Sequence, residues 1–159
     1  MNIRIACVGK LKERYWRDAC SEYEKRLQRY CSISICEVPD ESTPDEISDR
    51  QREQILAKEG ERLLRRIPSD SYCIALAIEG KRFDSESFSQ LIKQKMDHGV
   101  SDITFVIGGS LGLSDEVLKR ANLKLSFSDF TFPHQLMRVI LLEQVYRGFR
   151  IMKNEPYHK

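Results

Sequence analysis

Apolar positions along the chain fall into short runs and helical stripes that alternate. Ile3 to Val8 is an apolar run closed by Gly9, which predicts a first strand. Trp16, Ala19, Cys20, Tyr23, Leu27 and Tyr30 recur at helical spacing, so Tyr15 to Arg29 reads as an amphipathic helix. Ile33, Ile35 and Glu37 alternate with Ser34 and Cys36, a second strand. Two prolines and dense acid over residues 39–46 mark a solvated connecting loop. Ile55, Leu56, Leu63, Leu64 and Ile67 make a second helix stopped by Pro68, with Gly60 weakening its continuity. Ser71 to Ile78 is nearly all apolar and is expected to end at Glu79-Gly80-Lys81. Asp84 or Ser85 can cap a helix carrying Phe88, Leu91, Ile92 and Met96, which Gly99 ends. Ile103 to Ile107 is a buried strand running into Gly108-Gly109. Ser114 caps a short helix with Asp115 and Glu116 in its first turn, where the helix dipole favours acids. Leu123 to Ser126 is a fifth strand, a long helix runs from about Pro133 to Met152, and residues 153–159 form a polar tail. Strands alternating with helices predict an α/β layer structure with a mostly parallel sheet. No internal repeat or linker divides the chain, so residues 1–159 are expected to form one domain.

Composition narrows the class. Hydrophobic residues are 41% and charged residues 31% of the 159, which excludes a disordered chain, a collagen-like chain and a disulfide scaffold. No apolar run approaches the about 18 residues needed to span a membrane. Met1 to Ile5 lacks the hydrophobic block of a signal peptide and is expected to enter a strand directly. The five cysteines are an odd number with no C-x-x-C pair and no ligand-like spacing to the three histidines. They read as reduced core residues, with no metal implied, and point to the cytoplasm. The formal charge is only +2, but it is unevenly spread. Residues 37–61 carry −6, whereas residues 10–30 and 133–159 carry +3 each, two basic segments that the total masks.

Three strand ends carry unusual chemistry, and ligands of open α/β sheets sit beyond the carboxyl ends of strands. The first is Leu76 to Gly80, the second Ile107 to Gly112, and the third Ser126 to Pro133. The second is either an ordinary glycine turn or a cradle where a ligand approaches the backbone. It matches neither a dinucleotide fingerprint, because Ile107 stands where the first glycine is needed, nor a phosphate-binding P-loop. The third places three phenylalanines within six residues, packed under a loop or forming apolar walls for an adenine. The final helix is apolar nearly all round in its first half, so it is buried on two sides, either within one chain or against a second copy.

Several segments together resemble one family. They are Val8 to Glu13, Val106 to Ser110 with Gly112-Leu113, Phe132-Pro133-His134 with Met137-Arg138, Glu143 to Arg147, and the terminal Pro156-Tyr157-His158-Lys159. They look like the ribosomal RNA large subunit methyltransferase H family, the minimal members of the SPOUT methyltransferases, over essentially the whole chain. The resemblance implies a deep C-terminal trefoil knot, a topology that sequence physics would not suggest. It implies S-adenosylmethionine bound by the knot loops, with contacts on Leu76, Gly108, Phe127, Ser128, Asp129, Phe130, Thr131 and Phe132. It implies a homodimer through the knot helices, and methylation of the N3 atom of a pseudouridine in large-subunit rRNA on the assembled ribosome. A single domain of this size leaves no residues for a separate RNA-binding domain.

Methyl transfer from a sulfonium is an in-line displacement, so holding the acceptor in line supplies most of the catalysis. The imide N3 must also lose a proton, to a base or under a local positive field. His158 is the titratable candidate near neutral pH, and Tyr157, Arg138 and Lys159 are candidates for positioning RNA or stabilising the anionic uracil. His134, at a helix start, reads as structural. Two rival readings stand beside this one: a SPOUT enzyme acting on tRNA, and a non-enzymatic ribosome-binding module.

Overall fold

The computed structural model describes residues 1–159. Five strands form one sheet: β1 (Asn2–Val8), β2 (Ser32–Val38), β3 (Tyr72–Arg82), β4 (Asp102–Ile107) and β5 (Leu123–Ser126). Their order across the sheet is β2-β1-β4-β3-β5, and every pairing is parallel. Five helices connect and cover them: α1 (Arg14–Leu27), α2 (Asp49–Leu64), α3 (Ser85–Asp97), α4 (Asp115–Arg120) and α5 (His134–Met152).

The apolar runs of β1 and β4 are continuous because the sheet is buried on both faces. Ile3, Ile5 and Cys7 of β1, with Ile103, Phe105 and Ile107 of β4, enter the larger core under α1, α3 and α5. The alternate residues Ala6, Val8 and Val106 enter a smaller core under α2 and α4. Helix α5 packs between α1 and α3, burying Leu141, Leu142, Val145, Tyr146 and Phe149 within this chain. Leu136 and Ile140, which take no part in that core, stay only half-buried.

Local chemistry explains the boundaries. Ser48 accepts from the N–H of Gln51, and the Gln51 side chain returns the bond to the N–H of Ser48, so α2 starts at Asp49. Asp84 and Ser87 make the same reciprocal cap on α3, and Ser114 caps α4 as expected. Gly99 follows α3 at φ 81°, a conformation that costs glycine little.

Two expectations are corrected. Helix α2 is continuous through Gly60, because Gly60 is where α2 meets α4. A Cβ there would lie 3.0 Å from the Cβ of Ser114, so the glycine permits close packing rather than breaking the helix. Strand β3 does not end at Glu79-Gly80-Lys81 but continues to Arg82. Leu76 and Lys81 both pair with Leu125, so residues 77–80 bulge out between two pairings with β5. Polar residues there reflect the bulge, and Gly80 brings β3 so close to β5 that a Cβ there would lie 2.7 Å from the carbonyl carbon of Lys124.

Candidate functional site

The carboxyl ends of β3, β4 and β5 converge on a cavity of about 800 Å³. Its walls come from Leu76 to Glu79 of β3, Ile107 to Leu113 at and after the end of β4, Leu118 of α4, residues 125–128 and 130–134 at and after the end of β5, and Met137 of α5. The three strand ends singled out from the sequence therefore form one site.

The glycine segment folds back on itself. The N–H of Gly112 donates to the carbonyl of Gly109 (3.1 Å), and Gly112 sits at φ 87°. A Cβ on Gly108 would lie 2.6 Å from the carbonyl carbon of Gly112 and nearer still to its oxygen. Gly108 is thus required first by the turn itself, which in turn shapes the cavity wall. Behind the turn, the buried carboxyl of Glu59 accepts from the N–H of Glu41 (2.9 Å), and burial pushes its pKa up. That bond, with Arg62 on Glu41 and on the carbonyl of Pro39, pins the acidic loop against α2.

The loop after β5 is shaped by its own hydroxyls. Ser126 donates to the carbonyl of Ser128 (3.2 Å), and the N–H of Phe130 donates to Ser128 Oγ (3.0 Å). Phe127, Ser128, Thr131 and Phe132 line the cavity, and Phe130 stands at its rim, 76% exposed. Asp129 is the exception among the expected cofactor contacts. Its side chain faces away from the cavity and pairs with Arg82. His134 also lines the cavity, and burial, reinforced by Arg138, holds its imidazole below the ordinary histidine range, so it is neutral.

A second cavity of about 560 Å³ adjoins the first and shares Leu125, Ser126 and Phe127 with it. Phe83, Asp84, Ser85, Glu86, Phe88, Gln144 and His158 complete its lining. The tail is therefore docked rather than free. Tyr157 donates to Glu143 Oε1 (3.1 Å), and its ring lies edge-on to Tyr146, with centroids 5.0 Å apart. Burial, with that bond to Glu143, pushes the Tyr157 phenol up to about 12, so it is a donor at neutral pH and not a base. Arg147 bridges to Glu143 (2.5 Å) and donates to His158 Nδ1 (3.3 Å). Glu143 and Arg147 belong to a segment that carried the family resemblance, but the sequence did not show that they hold the tail. Their signal is an acid and an arginine four positions apart on an otherwise apolar helix.

Arg138 lies apart from the tail. Its side chain is buried, 1% exposed, with Nη1 on Glu37 Oε2 (2.7 Å) and Nη2 on the carbonyl of Gly9 (3.2 Å). It ties α5 to the ends of β1 and β2 and is not brought together with Tyr157 and His158. The cysteines form no disulfide, and burial raises Cys7 to about 12 and Cys20, Cys31 and Cys73 to about 11, leaving no reactive thiolate among these four at neutral pH. No three His, Cys, Asp or Glu side chains converge where a metal could bind. No helix is long and apolar enough to cross a membrane.

A parallel sheet with a glycine- and phenylalanine-walled cavity at its carboxyl ends defines a class of small-cofactor proteins. Comparison with known proteins fixes which one. The model of the family described as "Predicted SPOUT methyltransferase" matches residues 1–158, and the chain belongs to that family. It is 58% identical, over 159 residues and the full length of both chains, to ribosomal RNA large subunit methyltransferase H 1 of Clostridium perfringens strain SM101. The protein named ribosomal RNA large subunit methyltransferase H in Bifidobacterium animalis subsp. lactis is also 58% identical, and that of Streptococcus sanguinis 55%, each over the full length of both chains. Among solved structures, a probable methylase family protein from Haemophilus influenzae Rd KW20 superposes with a TM-score of 0.52. It is 14% identical and is covered over 66% of its length by 96% of this chain, a likeness of fold.

Proposed function

We propose that this chain methylates large-subunit ribosomal RNA, with S-adenosylmethionine bound in the larger cavity and the acceptor base presented from the smaller one. The observation that carries the reading is the shared wall Leu125-Ser126-Phe127, which sets a cofactor-sized cavity beside one reached by His158. The larger cavity fits the group: its volume lies in the range for such ligands, its walls are mostly apolar, and a glycine turn exposes backbone to it. Leu76, Gly108, Phe127, Ser128, Phe130, Thr131 and Phe132 would hold the cofactor, and Asp129 would support the loop from outside through Arg82. Bound there, S-adenosylmethionine supplies an activated methyl group on a sulfonium.

The remaining chemistry belongs to the tail. An arginine N–H only donates, so the bond from Arg147 makes His158 Nδ1 an acceptor and leaves the proton on Nε2. Nε2 points towards Glu86, 3.8 Å away. In this state His158 offers a donor, not a lone pair. It suits a carbonyl oxygen flanking the acceptor nitrogen, where negative charge develops as the imide proton passes to solvent water. The adjacent Arg147 guanidinium adds positive field, and the Tyr157 phenol stays protonated.

The full reading is methylation of pseudouridine N3 on the assembled ribosome, in the cytoplasm. The half-buried Leu136 and Ile140, outside the chain's own core, support pairing of two copies through α5. The test is radiolabelled methyl transfer to ribosomes with the target pseudouridine, to ribosomes with uridine in its place, and to free tRNA. Labelling of the first alone is expected. Labelling of tRNA but not ribosomes would overturn the substrate, and ribosome binding with no labelling would overturn the enzyme.

A further inference from the structure

The tail is held at two levels of α5, and only the level nearer the cavities has been given a task. The other is built around Arg150. Its Nη1 pairs with Glu155 Oε2 (2.6 Å) and donates to the Tyr30 hydroxyl (3.3 Å), while Nη2 donates to the carbonyl of Pro156 (3.1 Å). The Tyr30 hydroxyl in turn donates to Glu155. Tyr30 lies just beyond α1, stacked on Phe149 with centroids 5.6 Å apart and planes at 13°. The guanidinium therefore joins three separate parts of the chain: the end of α1, the last turn of α5 and the tail. Asn154 makes the reversal at φ 52°, which asparagine tolerates, and the N–H of Glu155 closes back on the carbonyl of Arg150 (2.9 Å).

None of Tyr30, Arg150 and Glu155 lines either cavity. Yet the two residues after Pro156 are Tyr157 and His158, which meet Glu143 and Arg147 one to two turns back along α5. The tail thus runs back along α5, with residues 155–156 held at Arg150 and residues 157–158 held one to two turns nearer the cavities by Glu143 and Arg147. Charge alone does not explain the choice of side chain. A lysine could pair with Glu155 but lacks the planar fork that reaches the carboxylate and the Pro156 carbonyl together.

We infer that Arg150, with Tyr30 and Glu155, is a positioning element for methyl transfer. It fixes the path of residues 155–156 and thereby places His158. The inference rests on the proposed methyltransfer reading, and on His158 as the group it serves. The hydroxyl of Tyr30 makes the end of α1 part of the arrangement. Loss of that one oxygen loosens the tail while leaving the ring stacked on Phe149.

The experiment uses Arg150→Lys and Tyr30→Phe in the full chain, each also combined with His158→Ala. Three readouts are taken: hydrogen exchange at the Glu155 amide, whose N–H is bonded to the Arg150 carbonyl, S-adenosylmethionine affinity by calorimetry, and single-turnover methyl transfer to ribosomes. Exchange in the tail is expected to rise about tenfold or more, with cofactor affinity unchanged. Single-turnover transfer is expected to fall about tenfold to a hundredfold, the size of effect that a misplacement near 1 Å produces. In the His158→Ala background the same substitutions are expected to cause no further fall, because they act through His158. An equal loss in both backgrounds, or unchanged tail exchange, would overturn the inference. If the wild-type chain fails to label ribosomes, the function falls separately, and the exchange data still decide whether Arg150 holds the tail.

Discussion

Gly108→Ala isolates a single methyl group at the centre of the cofactor proposal. Gly108 is not in the left-handed region, so alanine is free to adopt its backbone angles and the effect is steric alone. The new Cβ would lie 2.6 Å from the Gly112 carbonyl carbon, about 0.8 Å inside the 3.4 Å at which ordinary contact begins. Backbone, unlike a flexible side-chain end, cannot give way locally, so the turn from Gly109 to Gly112 must shift as a unit. Overpacking of this kind costs about 1–3 kcal/mol. Because the displaced turn is a wall of the larger cavity, most of that cost is expected in binding. At about 1.4 kcal/mol per decade, S-adenosylmethionine affinity falls about tenfold to a hundredfold. Calorimetric titration measures it, with Gly99→Ala as the control. Gly99 has open space around it but φ 81°, and it lies outside both cavities, so that variant should melt earlier with unchanged affinity. Unchanged affinity in Gly108→Ala, or equal losses in both variants, would refute the assignment of the cavity.

Three further outcomes follow from the same geometry. His134 has its pKa lowered by burial, so the unfolded chain binds the proton more readily than the folded one. Its contribution to stability is present above about pH 6.5 and is lost as pH falls through the lower folded value, a slope that His134→Gln should flatten in melts taken across mildly acidic pH. Arg138→Met should cost about 2–4 kcal/mol in urea unfolding, because it strips a buried charge from Glu37 and the Gly9 carbonyl; a loss of rRNA labelling at full stability would instead return Arg138 to the RNA surface. If His158 acts as an N–H donor, His158→Gln should retain about tenfold more methyl transfer than His158→Ala, whereas equal activities would favour a proton-accepting role.

Local patterns in the chain carried the elements and the larger cavity. Leu123–Ser126 was readable as β5 to the residue, and Ser114 as the cap of α4, because both depend on neighbours in sequence. The three strand ends were readable because Gly108, Gly109 and the clustered phenylalanines violate what an exposed loop needs. What escaped depends on distant partners. The docking of the tail hangs on Tyr30 meeting Glu155 across 125 residues, which no window of sequence contains. Arg138 and Arg147 look alike in a charge count, and only packing sends one to Glu37 inside the fold and the other to His158. The continuation of β3 past its polar stretch required a second pairing with β5. Gly60 reads as a helix-weakening residue until α4 is placed against it.

The wall shared by the two cavities has a thermodynamic consequence. Phe127 belongs to both linings, so a molecule seated on either side restrains the same ring and the same four-residue strand. Restraint imposed from one side lowers or raises the cost of ordering that wall for the occupant of the other. Linkage then makes the effect reciprocal: whatever factor the methyl donor applies to RNA affinity, RNA must apply to the donor. Under the proposed function, that mutual effect would pass through one phenylalanine, and a comparison of donor affinity with and without ribosomes measures its size.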